Sequence, residues 1–187
     1  DPIVINDQTV TDCLQQNIAL YDKNGEQHYD VISAFIKSVR GSDPNAAIYY
    51  LARMLAGGEE PRFIARRLVI LASEDVGLAN PNALLLANAC FDTVHKIGMP
   101  EARIPLANAV ILVATAPKSS AADEAINSAL TDIQSGKTGP IPRALQNMHF
   151  DGDDNNHKGQ FYKYPHAFDS HWVKQQYLPD NLKDRVY

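Results

Sequence analysis

Apolar side chains recur at three- and four-residue intervals along most of the chain, the spacing that gives a helix one apolar face. Pro44, Pro61 and Pro81 each follow a polar residue, and glycines follow the apolar runs. Proline favours the first turn of a helix, and glycine favours the position after the last turn. The pattern therefore predicts helices at 7–21, 28–39, 44–56, 61–74, 81–97, 101–115 and 119–135.

Two of the predicted helices are apolar almost all round, over residues 83–91 and 106–114. Such a helix must be covered on every side, so it lies either at the centre of the bundle or in a subunit interface. Pro105 would break a helix that began near residue 100, so this helix either starts later or bends there. The candidate interface residues on these two helices are Leu85, Leu86, Val110, Ile111 and Val113.

The predicted fold is all-α, a helical bundle with an irregular C-terminal extension. The links between predicted helices are short, so consecutive helices should be antiparallel neighbours. After Gly136 the helical period stops, and glycine, proline, Asp/Asn and aromatic residues follow without periodicity. No pair of strands is predicted, and residues 151–159 have the composition of a mobile loop.

Net charge, cysteine content and the length of the apolar runs limit the classes of protein to which this chain can belong. The net charge is −5, from 17 basic and 22 acidic residues, so any DNA contact would need a local basic patch. Cys13 and Cys90 fit no metal-ligand spacing, and we predict two buried thiols in a reducing cytosol. No apolar run reaches membrane-spanning length and no signal segment opens the chain, so we expect a soluble, cytoplasmic protein. The start without a methionine suggests a piece of a longer protein.

Three short motifs resemble known sites but fail in detail. Gly136-Lys137-Thr138 resembles the end of a phosphate-binding loop, but a helix precedes it and Thr131 stands where the first glycine belongs. We interpret it as a helix C-cap and turn. The segment from Asp151 to Tyr162 lacks the glycine and the glutamate of a calcium loop. His157, His166 and His171 lack the helical spacing of a zinc site. No catalytic, cofactor-binding or metal-binding residue is predicted.

An acidic pair, Glu74-Asp75, ends the fourth predicted helix, where the helix dipole favours cations instead. Such a violation of a local rule indicates an ion pair or a functional position. Three interpretations stay open for these acids and the nearby basic residues: a solvated charged face, a buried ion-pair network that fixes helix docking or subunit register, or a DNA contact. The candidate residues are Lys37, Arg40, Arg53, Arg62, Arg66, Arg67, Glu74 and Asp75.

Long stretches of the chain resemble one protein family. They are YDKNGEQHYDVISAFIKSVRGSD and PNAAIYYLARM at 21–54, FIARRLVILASEDVGLANP at 63–81, IGMPEARIPLANAVILVATAPKS at 97–119, YKYPH at 162–166 and YLPDNLKDRVY at 177–187. Together they resemble the C-terminal half of the replication-associated recombination protein A family (RarA, also MgsA), whose eukaryotic relative is the Werner-helicase-interacting ATPase. After Pro142 the sequence departs from the family pattern.

The resemblance implies a clamp-loader-like architecture with an AAA+ ATPase core, a helical lid and a helical oligomerisation region. It implies that residues 1–22 end the lid, that 23–137 form the oligomerisation domain and that 138–187 form the C-terminal extension. It also implies a homotetramer that acts at replication forks with single-stranded-DNA-binding protein, associated with the nucleoid. The ATP and magnesium sites of the family belong to its N-terminal half, which this chain does not include.

Two functions from different classes follow. The first is an oligomerisation scaffold of an AAA+ ATPase, supported by the resemblance and by the two all-round apolar helices. The second is a helical module that binds single-stranded DNA through the basic residues above and a tail in which aromatics and lysines alternate. The tail residues are Tyr162, Lys163, Tyr164, Trp172 and Lys174. A self-contained hydrolase has no motif to support it.

Overall fold

The computed structural model describes residues 26–147 and 162–187, and this part of the chain is helical with no strand. The predicted all-α class is therefore confirmed. The predicted helix at 7–21 and the segment 151–159 lie outside the described residues. The helices are α1 (Glu26–Arg40), α2 (Pro44–Ala56), α3 (Pro61–Leu71), α4 (Asn82–Ile97), α5 (Arg103–Thr115) and α6 (Ala121–Gln134).

Side-chain caps start α2 and α3 where the sequence predicts. The Asp43 carboxylate accepts a hydrogen bond from the Ala46 N–H at 2.9 Å. Glu60 accepts from the Arg62 and Phe63 N–H groups at 3.1 and 2.9 Å. These N–H groups have no partner within the helix, so each cap satisfies donors that would otherwise be lost. Proline occupies the first turn of both helices, as expected.

The start of α5 resolves the question of Pro105. The helix begins at Arg103, later than the predicted residue 101, so Pro105 lies in its first turn. Proline is tolerated there because the N–H that it lacks would have had no partner inside the helix.

The end of α3 differs from the prediction of a regular helix to residue 74. The α-helix ends at Leu71 and continues as one π-helical turn, Ala72–Val76, followed by a short 3-10 turn, Gly77–Ala79. Gly77 has a φ of +50°, and a Cβ at this position would lie 2.8 Å from the carbonyl oxygen of Ser119. The wide turn sets the direction of the acidic pair, and only glycine fits the exit from it.

The chain divides into two compact units, residues 1–123 and 124–187. In the first unit, α5 contacts each of α1 to α4, so it lies at the centre of this bundle. The largest fully buried side chains of the bundle include Phe35, Met54, Leu68 and Leu106. Cys90 is also buried, which raises the pKa of its thiol to about 11, so the predicted buried thiol is confirmed at this position. Cys13 lies outside the described residues.

The second unit contains most of α6 and a C-terminal tail held by one buried carboxylate. Asp132 accepts hydrogen bonds from Lys137 Nζ at 3.0 Å, Arg185 Nε at 2.7 Å and the Tyr187 hydroxyl at 3.3 Å. Gly136, with a φ of +79°, ends α6, and the Lys137 N–H donates to the Asp132 carbonyl at 2.9 Å. The interpretation of Gly136-Lys137-Thr138 as a C-cap and turn is therefore confirmed.

No helix in the described part of the chain is long and apolar enough to span a membrane. The predicted domain boundaries at 22 and 137 stay predictions.

Candidate functional site

A polar cleft in the first unit brings Arg40 together with the acidic pair. Arg40 ends α1, and its Nε donates to Asp75 Oδ1 at 2.5 Å while Nη2 donates to Glu74 Oε1 at 3.0 Å. Asp75 is 8% exposed, whereas the Arg40 and Glu74 side chains are 48% and 41% exposed. The hydrogen bond to Asp75 raises the pKa of Arg40 above its already high ordinary value. The site is a charge pair that is buried at one end and open to solvent at the other.

Lys118 forms the opposite wall of this cleft. Its Nζ lies 2.8 Å from the carbonyl oxygens of Ala114 and Ala116 and 3.0 Å from Ser42 Oγ. The ammonium group thus caps the carbonyls that α5 leaves open at its end, where the helix dipole favours a cation. Burial lowers the pKa of Lys118, and the nearby Asp75 carboxylate opposes that change.

The cleft encloses about 470 Å³. It is lined by Arg40, Glu74, Asp75, Lys118, Ser119, Ser120 and Asp123. The Ser119 N–H donates to the Asp75 carbonyl at 2.7 Å, so the π turn is joined to the chain segment after α5. Asp75 Oδ2 is buried and has no hydrogen-bond partner in the described part of the chain. Asp75 therefore ties three segments of the first unit together, because its carboxylate binds Arg40 of α1 and its backbone carbonyl binds Ser119 after α5. The buried carboxylate carries the cost of its burial.

The other candidate basic residues do not reach the acidic pair. Arg53 and Arg67 lie over the rings of Tyr49 and Phe63, 6.0 and 5.3 Å from the ring centroids. Arg62 Nη2 is 2.8 Å from His95 Nδ1. Lys37 and Arg66 are exposed. Of the basic candidates, Arg40 is the one that the described structure pairs with Glu74 and Asp75.

Apolar side chains also reach the surface of the first unit. On α5, Ile104 is 53% exposed and Ile111 is 44% exposed, on a stripe that continues through Asn108 and Thr115. Beside this stripe, α2 and α5 form a mostly apolar groove of about 380 Å³. The groove is lined by Ile48, Leu51, Ala52, Leu55, Arg103, Ile104, Ala107 and Asn108.

The five candidate interface residues divide by exposure. Val110 and Val113 are fully buried in the core of the first unit, so proposing them as interface residues was wrong. The reason is that α5 is central and turns these positions towards the other helices. Leu86 is partly buried against the same core. Leu85 is 68% exposed and Ile111 is 44% exposed, and these two remain available to a partner.

The exposed apolar side chains that were not predicted from the sequence include Ile70, Leu84 and Ile104, which are 40%, 40% and 53% exposed. A signal for Leu84 was present, because three consecutive leucines on one helix cannot all face the core. Ile104 precedes Pro105, and the late start of α5 decides its direction.

The aromatic tail residues lie in the second unit, where Tyr162, Tyr164 and Trp172 are 44%, 59% and 70% exposed. Lys163 Nζ lies 3.4 Å from the Lys174 carbonyl oxygen.

The Nδ1 atoms of His166 and His171 lie 3.3 Å apart, and His157 lies outside the described residues. In residues 26–147 and 162–187, no three His, Cys, Asp or Glu side chains converge closely enough to hold a metal ion.

Comparison with known proteins places these features in a family. Residues 41–187 match the family described as the MgsA AAA+ ATPase C terminal, and residues 1–40 match the family described as the AAA C-terminal domain. The chain belongs to the MgsA AAA+ ATPase C-terminal family. The predicted resemblance is therefore confirmed over the whole length of the chain.

Three relatives show the range of the similarity. The chain is 50% identical to replication-associated recombination protein A of Bacillus subtilis, over 96% of this chain and 42% of that protein. It is 52% identical to an AAA domain-containing protein of Mycobacterium tuberculosis, over 98% of this chain and 41% of that protein. It is 39% identical to ATPase WRNIP1 of Dictyostelium discoideum, over 99% of this chain and 21% of that protein.

The chain thus spans less than half the length of these curated relatives. The family is one of AAA+ ATPases associated with replication and recombination, and this chain corresponds to a C-terminal part of such a protein.

Proposed function

We propose that this chain is the non-catalytic, self-associating part of a DNA-dependent AAA+ ATPase that acts in replication-fork maintenance and recombination. One observation carries the proposal: apolar side chains of α4 and α5 stay exposed after the bundle has filled its own core. Leu85 and Ile104 are 68% and 53% exposed, and Ile104 borders an open apolar groove. A second copy of the chain is the partner to which we assign these surfaces.

The physical benefit of such a scaffold is effective concentration. Linking motor domains through a common hub turns their encounters with each other and with DNA into intramolecular events, which raises overall avidity without new contacts. We propose a homotetramer built as a dimer of dimers, because soluble homo-oligomers favour closed symmetry and two different two-fold contacts give a closed tetramer. Replication-fork DNA and single-stranded-DNA-binding protein are the proposed partners of the whole protein, in the cytoplasm at the nucleoid.

We place ATP and magnesium binding outside this chain. The motif that most resembles a phosphate-binding loop ends a helix, and its lysine is held by Asp132 at 3.0 Å. A phosphate-binding loop needs the opposite order, in which the loop precedes a helix whose N-terminal N–H groups face the phosphate.

A matched pair of neighbouring substitutions tests self-association. Ile111→Asp places a charge on the exposed stripe of α5, and Val110→Asp places the same charge in the core. We expect Ile111→Asp to lower the molar mass measured by light scattering while the helical circular dichroism stays native. Val110→Asp should unfold the bundle, because a buried unpaired charge costs several kcal/mol.

Leu85→Asp gives an independent readout on α4, where the side chain is 68% exposed. If Ile111→Asp and Leu85→Asp both keep the wild-type mass of an associated chain, these two faces are not the interface. If the wild-type chain is itself monomeric, the proposal fails as a whole.

A single-stranded-DNA-binding module is the second candidate function. It is favoured by the exposed side chains of Tyr164 and Trp172 in the second unit, since exposed aromatics can stack on bases. Because the net charge is −5, we expect weak binding that falls steeply with salt. Nanomolar affinity of the chain alone at physiological salt, measured by fluorescence anisotropy, would place this function ahead of the scaffold.

A further inference from the structure

An exposed stripe that runs from α3 onto the π turn is self-complementary in charge. Its three members are Arg66, Ile70 and Glu74, and all three reach solvent, with Ile70 40% exposed and the Glu74 side chain 41% exposed. Arg66 and Glu74 each lie four residues from Ile70, which is about 6 Å along a helix axis. One positive and one negative charge therefore lie at equal distances on either side of an apolar side chain.

These two charges do not neutralise each other within one chain. They are eight residues apart, about 12 Å along the helix, beyond the reach of an ion pair. Arg66 takes part in no ion pair, hydrogen bond or ring contact within the described part of the chain. Glu74 accepts from Arg40 through Oε1 alone, which leaves Oε2 open to a second donor. The charged residues that line the adjoining cleft are Arg40, Glu74, Asp75, Lys118 and Asp123, and their net charge is −1, so this end of the stripe stays negative.

The π turn brings Glu74 closer to the line of Arg66 and Ile70. In a regular α-helix, steps of four residues drift around the axis, so the eighth residue would move off the face. The wider turn from Ala72 to Val76 rotates less per residue, which returns Glu74 towards the line of Arg66 and Ile70. The departure from α-helical geometry thus has a consequence for the surface as well as for the cleft.

The neighbouring helix α4 has apolar side chains at the level of Ile70. Arg62, at the start of α3, contacts His95, at the end of α4, so the two helices run antiparallel. Counting back from His95, the level of Ile70 falls between Leu84 and Phe91 on α4. Leu84 is 40% exposed, and Phe91 is partly buried against the core. One stripe is too small for a stable interface of about 800 Å² per partner, so the pairing also requires apolar area from α4, for which Leu84 is the exposed candidate.

We propose that α3 pairs with α3 of a second copy of this chain, antiparallel, about a two-fold axis at Ile70. In this pairing each Arg66 faces Glu74 of the other copy, and the two Ile70 side chains meet on the axis. A parallel pairing would place like charges opposite each other, so the charge order selects the antiparallel arrangement. A two-fold contact is closed and uses the same patch twice, which makes it one of the two interfaces of a dimer of dimers. The inference rests on the proposed self-association.

Charge exchange tests the pairing. Arg66→Glu and Glu74→Lys each replace two attractions across the axis with two repulsions, so we expect each to raise the dissociation constant roughly tenfold or more. The double variant restores attraction with reversed polarity and should return to within about threefold of wild type. Arg53→Glu, an exposed arginine on α2, is the control and should leave association unchanged. Sedimentation velocity at low and high salt measures all four.

Cysteine cross-linking tests the position of the axis without changing any charge. In a Cys13→Ser background, Ile70→Cys on the axis should form a disulfide-linked dimer, because a disulfide needs Cα atoms within about 7 Å. Ser73→Cys is exposed on the same face but lies one turn off the axis, and it should cross-link at least about tenfold more slowly. Cys90 is buried and contributes no background.

The outcomes separate this inference from the proposed function. A wild-type chain that is monomeric overturns both. A wild-type chain that associates, with no effect of either single charge reversal and no preference for Ile70→Cys, overturns the pairing and leaves self-association standing. Loss of DNA retention by Arg66→Glu at unchanged mass assigns Arg66 to a DNA-binding face instead, which also overturns the pairing.

Discussion

Asp75 connects separate segments of the first unit. Its carboxylate is 8% exposed and lies near the end of a helix, where the dipole is unfavourable for an anion. Arg40 supplies the compensating charge, and the Asp75 main-chain carbonyl accepts from Ser119. One residue therefore joins α1, the π turn and the segment after α5, through both its side chain and its backbone.

Removal of Arg40 should expose the cost of burying Asp75. We expect Arg40→Leu to lower the free energy of unfolding by about 2–3 kcal/mol, less than a fully buried pair because the Arg40 side chain is half exposed. Urea denaturation measures the change. Lys37→Leu, one turn earlier on the exposed side of α1, should stay within about 0.5 kcal/mol of wild type. Equal effects of the two substitutions would contradict the assigned role of Arg40.

The sequence showed that Glu74 and Asp75 lie where the helix dipole is unfavourable for anions, but it did not show which residue pairs with them. Arg62, Arg66 and Arg67 are nearer along the chain, yet the partner is Arg40, 35 residues away from Asp75. Sequence distance did not reveal it because the π turn redirects both acids towards the end of α1. A single extra residue in a helical turn leaves no clear mark in hydrophobic periodicity.

Among the elements, the π turn requires a glycine at its end. Gly77 adopts a φ of +50°, and a Cβ there would lie 2.8 Å from the carbonyl oxygen of Ser119. Gly58 also has a positive φ, of +76°, but it has nothing within 4 Å of the same position. A comparison of alanine substitutions at the two glycines therefore separates the cost of backbone strain from the cost of a steric clash.

Gly77→Ala should lower the free energy of unfolding by about 2 kcal/mol or more, because strain and a steric contact add. Gly58→Ala should cost only about 1 kcal/mol, the strain of a left-handed residue alone. Thermal denaturation of both variants, under conditions that fix the state of association, gives the comparison. A smaller loss for Gly77→Ala than for Gly58→Ala would show that the turn tolerates a side chain.

The tail of the second unit is held by Asp132, whose pKa is lowered by the hydrogen bond from Lys137 and by the charge of Arg185. A carboxylate with a lowered folded pKa stabilises the folded state above its unfolded pKa, and that contribution is lost as the pH falls through the folded pKa. We therefore expect the tail to stay bound at neutral pH and to detach only below about pH 3.9, the ordinary value for aspartate.

The Arg185 Nε–H resonance in an NMR titration reports this contact directly. Asp132→Asn should give the detached signal at neutral pH, with no further change on acidification. Asp180→Asn is the matched control, because Asp180 accepts from Gln176 on the exposed surface instead. Detachment of the wild-type tail between pH 5 and pH 6 would contradict the assigned direction of the Asp132 shift.

Helix positions followed closely from the sequence, whereas surfaces did not. Starts at Pro44 and Pro61 were predictable because capping is a local interaction of a few residues. The exposure of Ile111 beside the buried Val110 depends on which helices surround α5, and that is a property of the whole bundle. An apolar helix without a polar face gives no periodic signal for which side faces solvent.

For the whole molecule, the central claim is that this chain associates with itself. Leu85, Ile104 and Ile111 stay exposed after folding, and the stripe on α3 is complementary to its own copy. All of these surfaces lie on the described part of the first unit.

The most direct measurement is the molar mass of the wild-type chain by light scattering, from about one to tens of micromolar. We expect a mass four times that of one chain at the highest concentration, with a dimer as the intermediate on dilution. A mass of one chain throughout this range, with native helical circular dichroism, would contradict it.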